Sequence, residues 1–393
     1  MLRLLIFVFP AIMDMILGTT FFIASFRMAQ AGYDGVTIGA LSATWAVVYS
    51  CCNMFSGRFV NARNCTAIMI SSCILMMIAA AGFIMFTEIY FQFILVALVG
   101  IGAAMFFQPF QLFMKAIEKM HPQGSLTRST ALYTFSWSFG MATGPFLSAF
   151  VWRHWNWQAC YFMNIISAII ILIGIIGVKR HLDNLPKNSK QSATPTGINR
   201  YEKFPDIAWL GWTAAGVCFL TVAMVRSVLP FKAEAIKLSE YNLGIILATA
   251  SYAQAFTGLL LGFGHIWMYR ITPAIIFSTA GITGLVLLFS CSSVTGLLLA
   301  SLFYGIYSGY FCFYLVFHSL VHPEKSSSYI AINEVIVGLT CIVGPLAGGL
   351  LADKVTPSFP FLAVCGPIIA VLIIQIIVKR KIAKSGQLFM EKN

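Results

Sequence analysis

One acid interrupts an otherwise almost wholly apolar run, FVFPAIMDMILGTTFF, at residues 7–22, and that acid is Asp14. If the run is a helix in lipid, ten residues separate Asp14 from Leu4, about 15 Å at 1.5 Å per residue. That depth is near the middle of a hydrocarbon core about 30 Å thick. An ionised carboxylate facing lipid there costs about 2.5–3.5 kcal/mol even on insertion scales. Facing a water-filled cavity it costs far less. An acid whose surroundings alternate between wet and dry is placed to take up and release a proton; the other use is a protonated or hydrogen-bonded acid that only packs. Glu334 is the second candidate for proton coupling, near enough to the end of its own apolar run to reach water instead. Arg226 stands towards the far end of another run, where a guanidinium snorkels as an interface anchor. Turned inwards, it would attract an anionic solute or act on Asp14 from a distance.

With Arg226, the neutral polar residues inside apolar runs are the candidates for substrate contact. Tyr304 and Tyr307 are three apart, and Tyr314 and His318 four apart, so they share much of one helix face. Gln108 and Gln111 repeat the spacing, while Trp137, Asn164 and Gln254 stand singly. Such groups stack on and hydrogen-bond a small solute, or else they pack helices. Other chemistry finds no residues. No His-Glu-x-x-His, Gly-x-x-x-x-Gly-Lys-Ser/Thr or Gly-x-Ser-x-Gly sequence occurs, so neither an enzyme nor transport driven by ATP hydrolysis in this chain is expected. The ten cysteines lie in or beside apolar runs without metal-ligand spacing and read as small packing residues. No metal or cofactor is expected.

The elements that position these residues follow from composition. The chain is 59% hydrophobic and only 10% charged, with a mean hydropathy of +0.85. Soluble domains carry about 25% charged residues, so this is a polytopic membrane protein. Apolar runs of spanning length lie near 4–26, 36–56, 66–87, 91–114, 129–151, 158–178, 207–229, 241–264, 271–291, 295–318, 329–352 and 359–379. Lipid offers backbone amides no partners, so each run is expected to be helical. The first run resembles a secretory signal but is too long and is interrupted by the acid, so it is read as a retained span. Twelve spans put both termini on one side. That side collects 19 of the 25 Lys and Arg residues, which makes it cytoplasmic and explains the net charge of +12 without nucleic acid. The polar stretch 179–206 reads as a cytoplasmic linker between a first unit, 1–178, and a second, 207–393.

The two units repeat each other. HPQGSLTRSTALYTFSWSFGMATGP ends at Gly144-Pro145, and HPEKSSSYIAINEVIVGLTCIVGP ends at Gly344-Pro345. GALSATWAVVYSCCNMFSG (39–57) aligns with GIILATASYAQAFTGLLLG (244–262) through Gly39, Ala43, Thr44 and Gly57 on Gly244, Ala248, Thr249 and Gly262. Gly140 and Gly144 share a helix face and permit close backbone approach, and Pro145 removes a helical hydrogen bond and favours a bend. Tight packing and a gating hinge are the two readings of these residues and of Gly344 and Pro345.

On this six-plus-six layout and these motifs, the chain resembles the major facilitator superfamily over essentially its whole length. GMATGPFLSAF resembles that family's Gly-x-x-x-Gly-Pro motif of exporters and antiporters, GPLAGGLLAD (344–353) resembles its counterpart, and LVGIGAAMFFQP fits a Gly-x-Gly pattern followed by Pro109. The resemblance implies an all-α membrane protein of two six-helix bundles, with the substrate between them near the midplane. It also implies a cavity lined by helices 1, 4, 7 and 10, which favours the polar residues on 4 and 10. The family's loop motif after helix 2 is degenerate here, with Asn61 where an Asp is expected, and Val96 stands where many proton-driven exporters have Arg. The expected activity is secondary transport by alternating access, most simply proton-coupled efflux of an amphiphilic compound or drug. Uptake of a sugar, nucleoside or organic anion is the alternative. A non-transporting receptor or scaffold is the reading from another class, and the shortness of the loops opposes it. The expected partners are a small solute, protons or another coupling ion, and the bilayer of a plasma membrane of the bacterial inner-membrane kind, with the chain acting as a monomer.

Overall fold

The helices follow the expected spans closely. They are α1 (Val8–Gln30), α2 (Gly35–Ser56), α3 (Cys65–Met85), α4 (Ile89–Glu118), α5 (Leu126–His154) and α6 (Trp157–Asp183), then α7 (Ala208–Ala235), α8 (Glu240–Leu261), α9 (Ile271–Ser290), α10 (Val294–Leu320) and α11 (Ser326–Lys354). The twelfth span is two pieces, α12 (Phe359–Ala363) and α13 (Cys365–Lys384). The sequence led us to expect one continuous helix there. The break has a local cause, because Pro367 has no amide to donate to Ala363 and its ring crowds that carbonyl. The computed structural model describes residues 6–56, 59–61, 63–118, 126–183, 206–264, 267, 269–320 and 326–384, without the side chains at 56, 112, 114–118, 126–130, 182–183, 319–320, 326–328, 330–331, 334 and 383–384. The linker from 184 to 205, the His-Pro pairs at 121 and 322, and the side chain of Glu334 therefore lie outside the described residues.

With α12 and α13 taken as one span, eleven of the twelve described spans are long and apolar enough to cross a membrane. The exception, α5, is rich in Ser, Thr and Gly and is enclosed between α1 and α8, its most extensive neighbours. Lipid does not have to accept its polar face.

Each half packs by one scheme. In the first, α1 packs on α5 and α6, α2 on α4, and α3 on α4 and α6; in the second, α7 packs on α11 and α13, α8 on α10, and α9 on α10 and α13. The halves meet along two equivalent seams, α5 with α8 and α2 with α11, and less extensively where α1 meets α7. The seams are made by the residues the internal repeat pairs. A side chain on Gly244 would meet the Pro145 carbonyl oxygen at 2.8 Å, and one on Gly39 would strike the Pro345 carbonyl. The preceding glycines face the other way, into their own halves. A side chain on Gly144 would meet the Met15 carbonyl and the Thr19 amide, and one on Gly344 would strike the Leu220 carbonyl. Each Gly-Pro pair thus lets one helix approach two neighbours at once, one in its own half and one across the seam.

The repeat reaches the helix ends. Positions 39 and 244 differ by 205, as do 27 and 232. The Arg27 guanidinium lies 3.5 Å from the Trp157 ring centre and the Lys232 ammonium 5.9 Å from that of Phe361, each pairing the first helix of a half with its sixth span. Lys232, expected among loop charges, is buried, and it donates to the carbonyls of Leu288, Phe289 and Cys291 at the end of α9. There it satisfies acceptors a helix terminus leaves open.

At the end of the molecule opposite the chain termini, α2 is capped from both halves. The amides of Gly35 and Val36 donate to the two carboxylate oxygens of Asp353, each at 2.8 Å, and Asp353 belongs to α11. The Thr37 amide donates to Asp34 Oδ1 and the Ile38 amide to the Asp34 carbonyl. All four open donors of this helix start are therefore satisfied, two of them across the seam. The Thr37 contacts hold the Asp34 carboxyl below its ordinary range, so its share of the cap is present at neutral pH and is lost only as pH falls through that lowered value. At the other seam the Arg153 guanidinium sits 4.7 Å from the Tyr241 ring centre. Replacing Asp353 with Ala should speed hydrogen exchange of the Gly35 and Val36 amides by roughly tenfold, the equivalent of one hydrogen bond to a charged group. Unchanged exchange at those amides would contradict the capping role.

Candidate functional site

The first helix of each half sets the site. α1 is largely surrounded by α5, α6, α7 and α2, and α7 by α11, α10, α1 and α2. Polar residues on these two helices face protein more than lipid, and Asp14 is 5% exposed. Its place along the helix differs from expectation. α1 begins at Val8, six residues before Asp14, so the acid lies about 9 Å from the helix start and in its first third, not at its centre.

Arg226 takes the inward of its two expected settings. It lies nine residues before the end of α7, about 13 Å inside, and lines a cavity between the halves. Gly18, Phe21 and Phe22 of α1, Met141 and Pro145 of α5, and Leu247 and Ser251 of α8 form the rest of its wall. In this conformation the cavity has room for little more than a water molecule. Arg226 is a cavity residue and does not snorkel. Its charge acts on Asp14, and Asp14 Oδ2 is buried without a hydrogen-bond partner. The two groups thus interact through the interior without that oxygen receiving a donor.

Tyr304 of α10 joins this region. Its hydroxyl lies 3.1 Å from Thr221 Oγ1, and Thr221 in turn donates to the Cys218 carbonyl at 2.7 Å. Thr221 has one hydroxyl proton, already used, so Tyr304 must be the donor. Its oxygen lone pairs remain available to Arg226, whose charge acts on Tyr304 as well.

The other expected contacts divide differently. Tyr307 faces a pocket inside the second half, with Ala214, Val217, Ser278, Phe311, Ile368 and Val371. Tyr314 stacks near His318, ring centres 4.2 Å apart, beside Trp267 and Tyr310, with the Lys379 ammonium 5.1 Å from its ring. These residues share a helix face, as the spacing predicted, but from Tyr307 onward that face belongs to the aromatic core of the second half. Gln254 donates to Ser138 Oγ at 2.9 Å across the α5–α8 seam, where Tyr252 also meets Thr143 at 3.1 Å. Asn164 ties α6 to α1 through the Ile16 carbonyl and Thr20 Oγ1. Trp137 packs half-buried against the core, and Gln108 and Gln111 are half-buried on α4. None of these eight expected residues is in the wall around Arg226.

Sequence reasoning missed the wall itself. Phe21 meets Trp45 edge-on at 5.2 Å, and Trp45 stacks on Tyr49 at 4.9 Å, which makes an aromatic layer running from the cavity into α2. Phenylalanines in an apolar run carry no signal of their own, although Arg226 and Phe21 differ by the same 205 positions as the two seam glycines. Asn61 also finds a role. Its side-chain oxygen accepts from the Arg63 and Asn64 amides, and Asn64 Oδ1 accepts from the Asn61 amide at 2.8 Å. This reciprocal pair opens α3 in the manner of a capping box. No group of three or more His, Cys, Asp or Glu residues arranged for a metal occurs among the described residues.

A family model described as the Major Facilitator Superfamily matches residues 4–322. Among solved structures, the crystal structure of the nucleoside transporter NupG aligns with a TM-score of 0.69 at 11% identity, covering 95% of this chain and 98% of that one. A point-mutant structure of the same transporter aligns with a TM-score of 0.67 at 10% identity, covering 96% and 99%. At such identities the likeness shows the fold. No curated protein sequence matches the chain.

The packing makes a paired prediction. Gly144→Leu should lower the thermal stability of the purified protein by about 1–3 kcal/mol or more, because the α1 backbone leaves no space. Gly177→Leu, where nothing lies within 4 Å, should leave it near wild type. Equal melting temperatures for the two variants would contradict the close approach of α1 and α5.

Proposed function

We propose that this chain, which belongs to the Major Facilitator Superfamily, takes up a small polar solute by alternating access, with protons as the coupling ion. That it is a membrane transporter of this family follows from the match; direction, solute and coupling are our reading. The observation that carries it is a cavity at the junction of the halves, with a fixed cation, Arg226, on its wall and a buried acid, Asp14, within that cation's field. A cavity built for an apolar drug gains nothing from an interior guanidinium, whose burial costs several kcal/mol unless something pairs with it.

The motif that tilted the sequence towards efflux has a sufficient structural role. Gly140, Gly144 and Pro145 bring α5 against α1 and α8, and Gly344-Pro345 does the same for α11 against α7 and α2. Packing of this kind serves either direction of transport. The degenerate loop motif at Asn61, and Val96 in place of an exporter's Arg, also favour uptake. The description of the structural neighbours as nucleoside transporters supports the same side. The excess of basic residues on the side of the termini supports a cytoplasmic position for both. The Asp353 cap and the Arg153–Tyr241 contact then lie on the outer side, where they would part when the cavity opens outward.

In this scheme Asp14 carries the proton. The full-length protein in proteoliposomes, given labelled uridine, glucose and nicotinate in turn under an inward proton gradient, should accumulate at least one of them. Asp14→Asn should reduce that accumulation at least about tenfold, while counterflow of the same solute, which needs no net proton movement, should persist. Equal gradient-driven accumulation in the variant would remove Asp14 from the coupling step. Accumulation driven only outward would restore the efflux reading.

A further inference from the structure

Arg226 has more to pair with than the protein supplies. A guanidinium stays charged and presents five donors in a planar fork. Among the described residues, no hydrogen bond or direct ion pair of that fork is found; Tyr304 and Asp14 act on it only through the field. It stands on a cavity wall whose one other polar side chain is Ser251. The remainder is Phe21, Phe22, Met141, Pro145, Leu247 and the bare backbone of Gly18. Next to Phe21 the Trp45 indole nitrogen is buried and has no acceptor, an open donor beside the apolar wall.

Among the described residues, three other cations towards the far side of the molecule already have partners. Lys232 serves three carbonyls of α9, Arg27 lies over Trp157, and Arg153 lies over Tyr241. Arg226 is the one cation among the described residues that lines this cavity. A single fork matches a carboxylate, two parallel N–H···O bonds to one negative charge, whereas a phosphate dianion asks for a second cation. A neutral ribose and base would leave the guanidinium unpaired, at the cost of a buried charge. The wall of Phe21 and Phe22, backed by Trp45 and Tyr49, suits a flat ring against which aromatic faces and edges gain contact.

Building on the transport reading above, we infer that the central cavity selects a small aromatic or heteroaromatic monocarboxylate, its carboxylate on Arg226 and its ring against Phe21 and Phe22. Arg226 is then the residue that sets specificity.

Binding to purified full-length protein tests this independently of flux. Nicotinate and benzoate would be compared with nicotinamide and benzamide, matched rings without the charge, and with uridine, by ligand-induced thermal shift and by quenching of tryptophan fluorescence. The acids should bind, with the amides and uridine at least about 10- to 100-fold weaker, the range of hydrogen bonds to a charged group. Arg226→Gln should abolish the preference for acid over amide, and Arg226→Lys should keep part of it. The comparison of acids with amides on the wild-type protein needs no variant to fold. Equal binding of acid and amide, binding of uridine alone, no binding of any acid, or an unchanged preference in Arg226→Gln would each overturn the inference. Acids that bind without being carried in proteoliposomes would leave the inference standing and sink the transport reading.

Discussion

The structure depends on two places where backbone meets backbone across the middle of the molecule. Gly39 lies against the Pro345 carbonyl, and Gly244 lies against that of Pro145. In lipid no hydrophobic force drives helices together, so association rests on close packing and on polar contacts between helices. Glycine at these positions lets α2 reach α11 and α8 reach α5, and glycine one residue before each proline lets the same helices reach α7 and α1. Once those approaches are made, most of the remaining arrangement follows. α1 and α7 are held side by side at the centre, α5 is sheltered enough to carry a polar sequence, and a narrow space remains where α1, α5, α7 and α8 come together.

Such contacts are firm sideways and weakly bonded lengthwise. The side-chain hydrogen bonds described across the seams include Gln254 to Ser138 and Tyr252 with Thr143. The Asp353 cap on α2 is a charge-assisted contact between the halves. It sits at the helix start, at one end of the seam, with the Gly35 bond part-buried and the Val36 bond exposed. A joint of this kind holds its alignment while costing little to open at one end. Two packings of nearly equal free energy are what alternating access requires.

Much of this was legible in the sequence because lipid restricts what a spanning segment can be. Hydropathy placed the twelve spans to within a few residues, except where α6 and α7 run further and where Pro367 divides the last span. The repeat was legible because glycine and proline at the seams have no substitutes, and the enclosure of Asp14 was legible because an acid in an apolar run costs least when surrounded by protein. The inward or outward turn of a side chain was not legible. Arg226 read as an anchor or, turned inward, as a solute contact, since its long stem permits either, and the packing of α7 against α1 turns it to the cavity. Tyr307, Tyr314 and His318 share a face as expected, yet periodicity cannot say which neighbour that face meets. The role of Asp353 was beyond reach for another reason, because its partner stands 318 positions away.

The central claim is that the halves part at the end capped by Asp353 and close again around a solute. Distances between spin labels at Val36 and Lys354 test it most directly, in lipid and in a chain whose ten cysteines have been replaced. The account predicts two populations, one short as in this structure and one longer, whose balance moves when nicotinate is added or when Asp14 is changed to Asn. A single short distance, unmoved by either change, would contradict it.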